Sequence, residues 1–123
     1  MPLFDDHIRK AEHNGRFYKS LDAATYPDWV VCAIFYTALH CVDAVLLINH
    51  MDPPSHHLRD SYIPRDPKLN PIYNHYRSLE DLSREARYNE KRAMTQQEVR
   101  DCLADLKTIG QHISNVLGVS IRL

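Results

Sequence analysis

The stretch from Trp29 to Ile48 limits what this chain can fold into more than any other. Val30, Val31, Ala33, Ile34, Phe35, Leu39, Cys41, Val42, Ala44, Val45, Leu46 and Leu47 cover nearly the whole circumference of a helix. A surface helix carries one apolar stripe and a polar remainder. Lacking a wide polar face, this segment is predicted to run through the centre of a bundle or to face a partner subunit. Tyr36, Thr37, His40 and Asp43 interrupt the run and make it too polar to prefer lipid over a protein core, so no membrane span is expected. Tyr26-Pro27-Asp28 opens it, because proline suits the first helical turn, where its missing N–H would have no partner anyway.

The other apolar positions also recur at three and four residues rather than alternating, and strand signals are essentially missing. Residues 3–24 place Phe4, Ile8, Ala11, Gly15, Tyr18 and Leu21 on one stripe, with Asp5 and Asp6 where carboxylates favour the helix dipole. A mid-helix glycine costs about 1 kcal/mol relative to alanine, so Gly15 is either simply tolerated or kept for the close approach of a neighbouring helix. Pro53, Pro54, Pro64 and Pro67, with the nearby Pro71, punctuate a polar stretch from 51 to 70 and exclude a regular helix through most of it. Long connections of that kind often carry function. A third helix is predicted over 71–89 from Ile72, Tyr76, Leu79, Leu82 and Ala86. Thr95 and Glu98 form a capping-box pattern that opens a fourth helix, and Gly118 offers its end. The expectation is one all-α domain over 1–123, an antiparallel four-helix bundle with a long connection, bearing proline and histidine, between its second and third helices.

With 123 residues there is room for a single domain, and 15 basic against 16 acidic side chains give a net charge of −1. No overall basic field exists to draw the chain onto nucleic acid or an anionic membrane, so any such binding must be local. MPLFDDHIRK has neither a basic n-region nor a small-residue cleavage site, which gives an expectation of a cytoplasmic protein. Cys32, Cys41 and Cys102 are odd in number and lie among apolar residues, as buried free thiols do.

Eight histidines are about twice the number usual for this size. Metal ligation by helices usually leaves a His-x-x-x-His or Glu-x-x-His trace, and neither occurs cleanly here. His40 with Cys41 and Asp43 could be completed by loop histidines, but that spacing is a weak signal, and no metal or other cofactor is expected. Nor is there a Gly-x-Ser-x-Gly elbow, and three scattered glycines build no phosphate loop. Two polar clusters remain. His56-His57-Leu58-Arg59-Asp60 brings imidazole, guanidinium and carboxylate within one short segment, a set that can clamp a phosphate and move a proton. The same Arg59 and Asp60 could instead pin the connection to neighbouring helices. Ser83-Arg84-Glu85-Ala86-Arg87-Tyr88 ends the third helix, where cations also serve the dipole.

The string from Trp29 through the aromatic pair Phe35-Tyr36 to His40 resembles the second-helix signature of HEPN-domain proteins, followed by a proline-bearing loop with histidine. Arg84-x-x-Arg87-Tyr88 is similar to the arginine–aromatic ending of their third helix, and the resemblance spans roughly 5–115. It implies a four-helix bundle that commonly dimerises, often beside nucleotidyltransferase-type protein partners, acting as a ribonuclease in toxin–antitoxin and defence systems or as a nucleotide-binding module. The ribonuclease members carry an arginine followed after four to six residues by histidine. Here Arg9 and His13 have three residues between them, Arg65 and His75 have nine, and Arg84, Arg87, Arg92 and Arg100 have no histidine at the required distance. The expectation is therefore a homodimer through helix 2 that binds RNA, a nucleotide or a protein partner without catalytic activity. A metal-independent endoribonuclease with His57 and Arg59 as catalytic candidates is the alternative. His40, His57, Arg59, Arg84, Arg87 and Tyr88 are the candidate binding residues.

Overall fold

A computed structural model describes residues 3–123, which contain five α-helices and no strand. Helix α1 (Phe4–Ser20) starts where the Asp6 carboxylate accepts the Leu3 N–H at 2.8 Å, with Asp5 and Asp6 both in the first turn. It stops short of residue 24 because Asp22 accepts from the Ala24 N–H at 3.0 Å and from the Thr25 hydroxyl at 2.7 Å, folding those residues into a turn. Helix α2 (Pro27–Ile48) begins with proline as predicted. Its end is closed by His50, whose φ of 58° is left-handed while the Met51 N–H reaches back to the Leu46 carbonyl at 3.1 Å.

The connection after α2 is more ordered than its prolines imply. Ser55 accepts the Leu58 N–H at 3.2 Å and caps a seven-residue helix, α3 (His56–Tyr62). Pro64 and Pro71 then sit in the first turns of two 3₁₀ segments, Ile63–Arg65 and Asn70–Ile72, where a missing N–H costs nothing. This corrects the four-helix expectation: a short fifth helix lies between the second and third long ones. Helix α4 (Tyr73–Tyr88) and helix α5 (Gln96–Leu117) follow the predicted boundaries closely. The capping box forms, with Thr95 Oγ1 accepting from the Glu98 N–H at 3.1 Å and Glu98 accepting from the Thr95 N–H at 3.0 Å. Gly118 ends α5 with φ 68°.

Helix α2 is central and packs on α1, α4 and α5. By length and apolarity it could cross a membrane, yet most of its apolar length is buried inside this fold. Its apolar circumference is covered within the chain, which removes the sequence argument for a homodimer through helix 2. Trp29, Tyr36, His40 and its last residues keep some exposure. Its own Ile34, Phe35 and Leu46 are fully buried, as are Tyr76, Leu79, Ile109 and Ile113 around it. All three cysteines are free and buried as expected, and burial raises the Cys41 and Cys102 thiols to about 12. Gly15 does allow a close approach, but not of a helix. A Cβ there would lie 3.4 Å from the Leu123 Cα, because the C-terminal tail runs across α1 and donates the Arg122 N–H to Glu12 at 2.9 Å.

Candidate functional site

A groove of about 310 Å³ lies where α1, α2 and the end of α4 meet. Helix α1 contributes Lys10, Asn14 and Phe17, which share one face at spacings of four and three. Helix α2 contributes Trp29, Cys32, Ala33, Tyr36 and His40 by the same periodicity. Arg87, in the last turn of α4, reaches across and donates from Nη1 to the Tyr36 hydroxyl at 2.6 Å. Its guanidinium carbon lies 5.9, 5.5 and 5.3 Å from the centroids of Phe35, Tyr36 and Tyr88. An arginine held on aromatic faces keeps its charge and loses little further freedom when it binds an anion.

The groove combines two kinds of surface. Trp29 is 58% exposed and Phe17 is also exposed, so each offers a free aromatic face. Lys10 and Arg87 supply positive charge. His40 does not, because burial and then the neighbouring His7 bring its imidazole down to about 4. Cys32 is an inert wall, its thiol raised by burial and directed at the Ser83 carbonyl. Two larger depressions are less suited to a phosphate-bearing ligand. One, of about 640 Å³, is lined by Asp81, Glu85, Glu98, Asp101 and Asp105 against only Arg84 and Arg92. The other, of about 660 Å³ beside the C-terminal tail, has Lys107 as its one charged side chain and no exposed aromatic ring.

The residues singled out in the sequence are distributed unevenly around this groove. His40 lines it, Arg87 spans it, and Tyr88, 78% exposed, carries one face of the Arg87 guanidinium. Arg84 turns away toward Glu80 and Asp81, at 3.2 and 3.8 Å. His57 is exposed on α3 and has no side-chain partner among the described residues. Arg59 is buried and bound twice to Asp43, at 2.7 and 3.1 Å, while Asp60 accepts from Arg77 at 2.8 Å. Both therefore pin α3 to its neighbours, and His57 and Arg59 do not share an open cleft with Tyr88. The imidazole near the aromatic pair is that of His56, 5.8 and 6.4 Å from the Phe35 and Tyr36 centroids and lowered in pKa by burial and by Arg59.

Lys10, Phe17, Trp29 and Tyr36 were not recognised as site residues from the sequence. The signal was present as spacing: Trp29, Tyr36 and His40 recur at seven and four along α2 and interrupt its apolar surface on one side. A family model for the HEPN domain matches residues 4–116. The chain belongs to the HEPN domain family. No curated protein matches it. The HEPN match runs from the start of α1 to the last turn of α5, so the aromatic pair, His40 and the Arg87-Tyr88 ending that carried the resemblance are all within it.

Proposed function

We propose that this HEPN domain is a nucleotide- or RNA-binding module, and that the groove between α1, α2 and the end of α4 is where the nucleotide sits. The observation that carries this reading is Arg87, held by the Tyr36 hydroxyl at 2.6 Å and backed by aromatic rings at the mouth of a groove whose other walls are largely apolar. A base stacks on Trp29 or Phe17, and its phosphate meets Arg87 and Lys10. Aromatic stacking contributes about 1–3 kcal/mol per base and tolerates any base, so little sequence preference is expected. With two cations engaged, affinity falls roughly five- to tenfold between 50 and 200 mM salt.

Binding is not catalysis, and the groove supports the first more than the second. His40 lines the groove but holds its Nδ1 against His7 Nδ1 at 3.1 Å, so that nitrogen is not a free acid or base, and Arg59 is committed to Asp43.

The test is fluorescence anisotropy of a short labelled single-stranded RNA with tag-free protein in EDTA, each sample then run on a denaturing gel. The expected result is saturable, salt-sensitive binding of intact RNA that weakens at least tenfold in Arg87→Ala. Unchanged binding in Arg87→Ala would place the ligand elsewhere. Cleavage of the RNA would overturn the non-catalytic reading in favour of a metal-independent endoribonuclease.

A further inference from the structure

Helices α1 and α2 meet at a point where two imidazoles face each other. His7 and His40 bring their Nδ1 atoms to 3.1 Å, with ring centroids 5.4 Å apart and 30° between the ring planes. Asp43 follows His40 by three residues on α2, so its carboxylate falls on the same face. One ligand atom from each of the three lies within 4.8 Å of the other two. His7 and Asp43 are buried and His40 is partly so, and neither Nδ1 has another partner among the described residues. Two ring nitrogens at that separation hold either one proton or one cation between them.

We propose that His7 Nδ1, His40 Nδ1 and the Asp43 carboxylate form a binding site for a transition-metal dication of the Zn²⁺ type, joining α1 to α2. Two imidazoles and one carboxylate, with a position left for water, are a familiar zinc donor set. Bonds of about 2.0–2.1 Å to each nitrogen in tetrahedral geometry separate the two nitrogens by about 3.3 Å, so the rings need only re-aim and part by a few tenths of an ångström. The imidazole that carries its proton on Nδ1 moves it to Nε2 as the ion takes its place, so no proton need be released. Arg59 occupies one lone-pair direction on each Asp43 oxygen and leaves another on each, acting as the outer partner that orients a ligating carboxylate. Nitrogen donors disfavour Mg²⁺ and Ca²⁺. Of the three ligands, His40 also borders the groove, while His7 and Asp43 are buried. This inference does not depend on the nucleotide reading, and it departs from the sequence expectation of no metal, which looked for the remaining ligands in the loop rather than on α1.

The experiment uses chelator-treated, tag-free protein, dialysed against low-micromolar Zn²⁺ and measured by elemental analysis, with Co²⁺ as a visible-absorption probe. About one Zn²⁺ per chain is expected, together with d–d bands of a low-coordinate N/O site and a higher Tm in Zn²⁺ than in EDTA. Retention should fall at least tenfold in His7→Gln and in His40→Gln, each checked for helicity by circular dichroism. Should buried His7→Gln fail to fold, the partly exposed His40→Gln alone decides. No retained metal in the parent would overturn the proposal. Equal retention in the folded variant would also overturn it, since the ion would then belong to other histidines.

Discussion

Arg59 donates from Nε to Asp43 Oδ1 at 2.7 Å and from Nη2 to Oδ2 at 3.1 Å, a two-pronged pair buried between α3 and α2. The pair fixes the short helix onto the central one, and removing one partner strands the other charge away from water. Breaking such a pair costs about 3–5 kcal/mol. Arg59→Ala is therefore expected to lower unfolding stability by that order in urea titration, and Arg59→Lys to recover only part of it, because lysine lacks the planar fork. A loss below about 1 kcal/mol in Arg59→Ala would show that α3 is held by something else.

Arg84 and Arg87 look equivalent in sequence but face different partners, Glu80 and Asp81 for the first and Tyr36 for the second. Arg87→Ala should weaken RNA binding at least tenfold, whereas Arg84→Ala should change it less than about twofold, because Arg84 faces Glu80 and Asp81 rather than the groove. Anisotropy titrations of the two variants side by side settle the assignment; a larger loss in Arg84→Ala would move the ligand to the acidic depression.

One buried and one half-buried group give the protein opposing responses to pH. Burial and then Asp60 push the Glu80 carboxyl up to about 7, while burial and then His7 bring His40 down to about 4. Glu80 stays protonated in the folded chain where the unfolded chain ionises it, so its contribution is complete below pH 4.5 and lost as pH rises through about 7. His40 stays neutral where the unfolded chain takes up a proton, so its contribution is present above pH 6.5 and lost as pH falls through about 4. Between those limits the two offset each other. Glu80→Gln should uncover a stability that rises with pH by on the order of 2 kcal/mol, and His40→Gln one that falls with rising pH by a similar amount. Urea unfolding at several pH values from 4.5 to 7.5 checks this, and parallel curves for both variants and the parent would contradict it.

His50 ends α2 in the left-handed region, with φ 58°, where glycine has no steric penalty. His50→Gly is expected to raise stability by up to about 1 kcal/mol, or a few degrees in Tm, by thermal unfolding. A lower Tm would mean that the His50 side chain, not its backbone, matters there.

The elements whose boundaries were legible are those with local chemistry at their ends: Pro27, the Thr95–Glu98 box and Gly118 each act within a few residues. Helix α3 was hidden because the prolines around it dominate the reading, although Ser55 is a sound cap. Arg87 and Tyr88 were legible as a motif, yet the role of Arg87 rests on Tyr36, 51 residues away. His7 meets His40 across 33 residues, and Gly15 meets the tail at Leu123, so no local spacing announces either contact. The adjacent histidines 56 and 57 differ only by which side of one helical turn faces inward, a distinction set by how α3 docks on α2 and α4. Arg59 shows the same limit: its chemistry suits a phosphate, but its partner turned out to be Asp43.

The central claim is that a nucleotide stacks in the groove beside Trp29, the only tryptophan in the chain. Titrating the parent and Arg87→Ala with short single-stranded RNA while following Trp29 fluorescence tests it directly. Saturable quenching in the parent, displaced at least tenfold to higher concentration in Arg87→Ala, is the predicted result. Trp29 fluorescence that stays constant while anisotropy reports bound RNA would contradict the account.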